Sequence, residues 1–350
     1  MVRRAFLGCA LGVAASAASG ARPNIANAQK VVAHAAPQPL VWPLAIGLQP
    51  GLRSFIGHAN TVLDVIGNIG RPPSLVIFSE GNHLMVLAGS DVVGALPAWA
   101  RAQPRYADLD LDNIVMVTLP QPILLQMVKA GGVALGNLIL QTSRGSGFYP
   151  DIFMGYPAPL RQLRRLGVIE SQARVFCKNR GVALLVQKGN PLGIRDLAST
   201  VRPGIRLALP EPGPGGVRAQ CEAAASALLG KSDADTLFAS EVRTFPGRLG
   251  IMHRDLPEMV ARDYADAAFT WHHLVAYWAR IFPNHFEAIA IPGAEPFSTQ
   301  IALARVDNPL RLRAMTAFDE FFFGRAREVY PRYEFAHMSD DEFSKTLTLD

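Results

Sequence analysis

Residues 174–191, RVFCKNRGVALLVQKGNP, decide the fold, because the apolar core 182–187 (VALLVQ) runs directly into the turn residues Gly189-Asn190-Pro191. A short continuous apolar run bounded by turn signals reads as a strand buried on both faces. Downstream, 205–209 is a second such run, and the Pro- and Gly-rich loop 210–216 feeds a helical pattern over 217–229. Helical spacing returns at 255–262, then an apolar strand at 266–270 and a helix at 271–282. Segments 286–291 and 300–305 read as strands, and 309–325 as an amphipathic helix.

Upstream the same alternation holds. Residues 75–78 read as a strand broken at Glu80-Gly81-Asn82, 83–103 as a helix, 114–117 as a strand, and 123–130 as a helix closed by Gly131-Gly132. A hairpin-like pair is expected around Gly145-Ser146-Gly147, a strand at 151–154, and a basic-faced helix at 158–166 ended by Gly167. Apolar residues at helical spacing over 54–70 predict one more helix, stopped by Pro72-Pro73. Strands alternating with helices imply a parallel sheet covered on both faces. A chain of 350 residues exceeds what one compact core usually holds, so two lobes are expected.

The first 28 residues carry a different signal: Arg3-Arg4, a charge-free apolar run over 5–18, and the small-x-small triplet Ala26-Asn27-Ala28. This is the layout of an export signal, twin-arginine-like at its start, with an apolar run too short for the roughly 20 residues of a membrane span. Cleavage after Ala28 leaves a periplasmic chain from Gln29, opening with an extension over 29–70. It also removes Arg3, Arg4 and Arg22 and no acid, lowering the formal charge from +5 to +2. A near-neutral surface without a lysine run has no footprint for nucleic acid. Cys9 departs with the signal. An exported location would permit a disulfide between Cys177 and Cys221, and their spacing leaves that open.

Ligands of open α/β sheets sit at the carboxyl ends of strands, where helix N-termini present free backbone N–H groups. Five loops occupy such positions: 79–83, 118–121, 155–156, 211–216 and 270–273. With the His253-Arg254 pair, they nominate Ser79, Asn82, His83, Thr118, Gln121, Tyr156, Glu211, Gly215, Gly216, His253, Arg254, Trp271 and His272 as ligand-binding residues. The glycine loop lacks the Gly-Lys-Ser/Thr of a phosphate-cradling loop, and no dinucleotide fingerprint, nucleophile elbow or paired-cysteine zinc site occurs. No catalytic residue, metal or cofactor is assigned. Adjacent His272 and His273 would point about 100° apart on a helix, a poor arrangement for sharing one ion.

Together, 174–191, the following Ile194-Arg195-Asp196-Leu197-Ala198 and the strand and loop RLALPEPGPGGVRAQ (206–220) resemble the crossover and second lobe of molybdate-type periplasmic solute-binding proteins. Tyr333-Glu334-Phe335 resembles that family's closing Tyr-Gly-Phe, with Glu334 in place of the glycine. The first loop departs: Ser79-Glu80-Gly81-Asn82-His83 stands where molybdate binders carry an alanine- and serine-rich loop, and Glu80 facing the cleft would repel an anion. Closer similarity is to a divergent branch with a first loop of Gly-Asn followed by His or Gln, a Thr-Leu-Pro second loop and a His-Arg-acid segment, here His253-Arg254-Asp255.

The resemblance implies an α/β, two-lobed type II periplasmic binding fold, each lobe a mainly parallel sheet flanked by helices. Lobe one would comprise 70–176 plus 292–350 and lobe two 177–291, with hinge crossovers near 177–181 and 291–297. It further implies a monomeric, non-enzymatic substrate-binding component of an ABC transporter, handing a small solute to an inner-membrane permease. Molybdate or a similar oxyanion is favoured over a metal ion or small organic solute; a ligand sensor or an enzyme on the same scaffold are the alternatives. Sequencing the exported protein is expected to find Gln29 at its N-terminus, and an intact Met1 on periplasmic material would refute the cleavage.

Overall fold

In the computed structural model, which describes Leu40 and residues 65–88, 91–135, 138–212, 216–243, 252–307 and 309–350, the apolar runs become strands with shifted edges. In chain order the first strands are β1 (Val65–Ile66), β2 (Leu75–Ser79), β3 (Ile114–Thr118), β4 (Gly132–Leu135), β5 (Leu138–Gln141), β6 (Ile152–Gly155) and β7 (Ile169–Lys178). They are followed by β8 (Val182–Gln187), β9 (Leu207–Ala208), β10 (Ala267–Trp271), β11 (Phe286–Ala290), β12 (Gln300–Val306) and β13 (Thr346–Thr348). The helices are α1 (Leu84–Leu87), α2 (Leu96–Arg101), α3 (Gln121–Ala130), α4 (Pro157–Arg165), α5 (Val217–Leu229), α6 (Lys231–Ala239), α7 (Met252–Ala261), α8 (His272–Ile281) and α9 (Leu312–Val329).

Two main sheets organise the core. One has the order β1-β3-β2-β6-β12-β7-β13 and the other β11-β8-β10-β9, while β4 and β5 form a separate hairpin. In the larger sheet, alternate residues of the central strands face opposite sides. Leu75, Ile77, Ile114 and Met116 join the core that holds Phe318 and Phe322 of α9, whereas Val76, Phe78, Val115 and Val117 join the core that holds Leu124 of α3 and Leu160 and Leu163 of α4. The period of two thus turns a continuous apolar run into a strand buried on both faces.

Strand direction differs from the expected parallel arrangement. The parallel pairs are β2 with β3, β2 with β6, and β10 with β9. Strand β12 runs antiparallel to both β6 and β7, and β8 antiparallel to both β10 and β11. The cause is a direct passage between sheets. The chain leaves the larger sheet on β7, enters the smaller on β8, and returns on β12, which inserts between β6 and β7. The passage from β7 to β8 holds no helix and that from β11 to β12 only the single 3-10 turn Glu295–Phe297, whereas a parallel direction needs a full crossover connection.

Other local expectations also shift. Val65 and Ile66, assigned to a helix over 54–70, instead form an edge strand paired with Val117 and Met116; 54–64 lie outside the described residues, as do the export signal and most of 29–53. The helix expected over 83–103 is split into α1 and α2, the second opened by Pro97, whose fixed φ suits a first turn. The hairpin lies at β4–β5, ahead of the Gly145–Gly147 region. Strand β7 lies outside the continuous apolar runs read as strands, being mixed along its length, with Ala173 and Val175 buried and Glu170 and Gln172 exposed. Cys177 on β7 and Cys221 on α5 are separate, buried free thiols, so no disulfide joins them, and burial pushes both thiols up.

The two passages between sheets run side by side. The Asn179 backbone N–H donates to the Thr299 carbonyl (3.2 Å), and the Asn179 Oδ1 accepts from the backbone N–H groups of Thr299 (3.0 Å) and Gly181 (3.3 Å). Gly181 has φ +81°, and a Cβ there would sit 2.1 Å from the Ala294 carbonyl oxygen. Its own carbonyl accepts from the His272 backbone N–H at 3.0 Å. Gly181→Ala is expected to lower stability by roughly 1–3 kcal/mol from the left-handed conformation alone, with the backbone clash added. Urea unfolding checks this, and an unchanged midpoint would contradict the close approach.

Candidate functional site

Strand β2 delivers the chain to Glu80, whose backbone N–H donates to the Met154 carbonyl at 2.9 Å, and then to a single 3-10 turn, Gly81–His83, that continues into α1. Gly81 meets His253: a Cβ on Gly81 would lie 2.3 Å from His253 Cε1 and 2.8 Å from its Nδ1. A Cβ there would require the His253 ring to move, and glycine lets this loop of the larger sheet approach α7, which packs with α8 on the smaller one. The two walls border a small crevice with an interior volume of about 20 Å³. Gly81, Leu84 and Met85 line one side, and His253 and Arg254 of α7 with Leu274, Tyr277 and Trp278 of α8 line the other. On α8 the spacing of three and four residues puts its contributors on one helical face. Burial pushes the Tyr277 hydroxyl up, and the Arg254 charge beside it pulls the other way.

A second cluster lies where the C-terminal segment meets both sheets. His83 is fully buried, with its ring centroid 5.5 Å from Phe176, 5.7 Å from Tyr330 and 5.5 Å from Phe335. His273, the second residue of α8, stacks on Phe335 at 4.1 Å. Among the described residues, neither imidazole has a hydrogen-bond partner on either ring nitrogen. Burial pushes His83 down to about 3 and His273 well below its ordinary value, so both are neutral at pH 7. The 3.9 Å approach of Glu80 Oε2 to His83 Nε2 is therefore a contact with a neutral ring and not an ion pair.

Of the thirteen residues nominated from sequence, His253 and Arg254 line the crevice. Gln121, Tyr156 and Trp271 meet at the facing ends of the two sheets. Gln121 Oε1 accepts the Tyr156 backbone N–H at 3.2 Å, and the Tyr156 ring lies 6.0 Å from that of Trp271, tilted by 35°. Ser79 is wholly buried and its hydroxyl donates to the Glu80 carbonyl; Thr118 is wholly buried as well. His272 is half-buried, its imidazole pushed down by burial and then by Arg180. Glu211 is exposed, Gly216 precedes α5 as its cap, and Gly215 and the Asn82 side chain lie outside the described residues. Leu84, Met85, Leu274, Tyr277 and Trp278 went unnominated, because apolar residues at helical spacing read as core. Their one sequence signal was position, within a few residues of the strand-end loops 79–83 and 270–273.

The sequence pattern of the bacterial extracellular solute-binding proteins matches residues 125–328, more than half of the chain. The chain belongs to this family. Among solved structures, the solute-binding protein described here is similar to the sulfate-binding protein SubI from Mycobacterium tuberculosis, at 16% identity and a TM-score of 0.54 over 76% of this chain and 87% of that one. It is also similar to L-phospholactate-bound PEB3, a Campylobacter jejuni protein, at 15% identity and a TM-score of 0.50 over 75% of this chain and all of that one. At such identities the likeness shows the fold, a type II periplasmic binding fold. No curated protein matches the sequence. The family's work is to bind solutes.

The buried imidazoles make stability depend on pH. His83 has a folded value near 3 against 6.5 unfolded, so the unfolded chain binds the proton more readily between those limits. Stability is full above about 6.5 and is lost as pH falls toward 3, by about 1.4 kcal/mol per pH unit for this one residue. His83→Phe, which keeps an aromatic ring, is expected to flatten the acid limb of urea-unfolding free energy measured from pH 7 to 4. An unchanged slope would show that His83 does not carry it.

Proposed function

We propose that this solute-binding protein works in the periplasm, closing two lobes around a small anionic solute and passing it to an inner-membrane ABC transporter. The observation that carries the reading is the crevice itself. Its walls come from elements packed on different sheets, they meet at the Gly81–His253 contact, and Arg254 supplies a cation at the lining. A permanently charged guanidinium in a confined site favours an anion over a metal ion.

The lobes of this reading are 70–176 with 292–350, and 177–291. The hinges are the two adjacent passages that Asn179 ties together. A solute touching both walls makes its full set of contacts only in the closed form, so it shifts the population toward closure by its difference in affinity for the two forms. Tyr156 and Trp271, one from each sheet, meet beside the passages and would part when the lobes open.

A thermal-shift screen of anions finds the ligand class, because a ligand at 100 times its Kd stabilises by about 2.7 kcal/mol. X-ray scattering with and without the best anion from that screen is then expected to show a smaller radius of gyration when bound. Proven binding with no change in radius would reject closure.

A further inference from the structure

We infer that the stack of Phe335 on His83 and His273 is a latch between the lobes, securing the closed form at neutral pH and releasing it on acidification; this rests on the two-lobe reading above. The three rings come from three parts of the chain. His83 ends the turn after β2 of the larger sheet, His273 is the second residue of α8 on the smaller one, and Phe335 follows α9 in the C-terminal segment. Phe335 lies nearly parallel to both imidazoles, at 20° to His83 and 25° to His273. In the lobe assignment above, His83 and Phe335 belong to one lobe and His273 to the other, so the 4.1 Å stack crosses between them. The attachment of the C-terminal segment suits a latch. Its backbone is bonded to β7: the Ala336 and Ser344 N–H groups donate to the Lys178 and Val175 carbonyls, each at 2.8 Å, and the Val175 N–H donates to the Lys345 carbonyl at 2.9 Å. Toward α8 the segment reaches with side chains, Phe335 on His273 and the Tyr333 ring 5.2 Å from the Arg280 guanidinium. Contacts of that kind part without breaking a backbone hydrogen bond.

Acid acts on the latch through solvation. All four ring nitrogens are buried without a hydrogen-bond partner among the described residues, so a proton on either ring of the closed form adds a charge that only water in the open form would solvate. The groups facing the rings do not offset this. Glu80 approaches His83 at 3.9 Å, beyond hydrogen-bonding reach. Tyr330, which follows α9, and Cys177 on β7 are neutral, since burial pushes both up. From α8, His273 faces His83 and His272 faces His273, so each added proton also repels. Around His272, Arg180 acts in one direction and Glu334 and Glu295 in the other. Opening that wets both rings returns each to its ordinary value of 6.5 and takes up two protons. The open form therefore gains up to about a hundredfold over the closed form per pH unit below about 6.5. A solute held only by the closed form loses affinity in step. Phenyl rings in the same two places would stack on Phe335 and take up no proton, so the imidazoles add acid release to a contact that packing alone would supply.

Small-angle X-ray scattering of the mature, ligand-free chain from about pH 7.5 to about pH 5, with circular dichroism to show that it stays folded, tests the latch. The radius of gyration is expected to grow toward acid pH in the unmodified chain and to keep its neutral value in the double variant His83→Phe, His273→Phe. Where that pair does not fold, His273→Phe alone should cut the response from about a hundredfold to about tenfold per pH unit. Phe335→Ala should enlarge the radius already at neutral pH, because it removes the ring that both imidazoles hold. Equal growth with and without the imidazoles, or growth only together with loss of dichroism, overturns the latch. A radius that neither acid nor Phe335→Ala moves overturns it as well. If sulfate or molybdate still compacts such a protein, closure stands without the latch; if neither does, the two-lobe reading falls with it.

Discussion

Gly181 is held in a left-handed conformation with its Cα against the Ala294 carbonyl, and the rest of the molecule hangs on that approach. Here the outgoing and returning connections between the sheets run side by side, clamped by the Asn179 carboxamide oxygen through two backbone N–H groups. The Gly181 carbonyl also accepts from the first residue of α8, so the same three residues set where the helix carrying Leu274, Tyr277 and Trp278 begins. A side chain at Gly181 would push the two connections apart. The insertion of β12 between β6 and β7 depends on their lying together.

The C-terminal segment reinforces this point from outside. The Ala336 N–H donates to the Lys178 carbonyl at 2.8 Å, and Glu334 pairs with Arg180 at 2.6 Å. Glu334 has φ +64°, a conformation that costs a residue with a side chain about 1–2 kcal/mol, and the Arg180 pair is too exposed to offset much of it. What holds the segment is the neighbouring Phe335, wholly buried and stacked on His273. Two unpartnered neutral imidazoles around one phenyl ring are an expensive way to build a core, since an apolar residue of similar shape would avoid the desolvation of four ring nitrogens. That cost makes the cluster acid-sensitive, at a place where elements of both sheets and the C-terminal segment meet.

The crevice follows different physics. Its polar groups are few and come from consecutive residues of one helix, while its apolar groups come from two helices on opposite walls. Gly81 matters because His253 occupies the space a Cβ would need, as Gly155 matters because Gln121 does the same there, with its Nε2 1.6 Å from a Cβ position. At both points the backbone at or just past a strand's carboxyl end touches a side chain from another element, so the spacing between backbone and side chain sets the shape of the site.

Sequence alone was enough for the strands and helices whose signals are local. The α5 helix spans the expected 217–229, and 182–187, 267–271 and 300–306 are strands within a residue or so of their apolar runs, because turn residues and burial period act over a few positions. His253 and Arg254 were legible through the resemblance of the His253-Arg254-Asp255 segment, and Tyr156 and Trp271 as aromatic residues just past strands. Strand direction was not legible, since an apolar run reads the same whichever way its neighbours point, and only the helix-free passage from β7 to β8 makes β12 antiparallel. The burial of Ser79, Thr118 and His83, the free state of Cys177 and Cys221, and the recruitment of Met85 and Tyr277 to a crevice were likewise decided in three dimensions. Contacts such as His253 against Gly81 or Phe335 against His83 join residues far apart in the chain, and no short-range pattern encodes them.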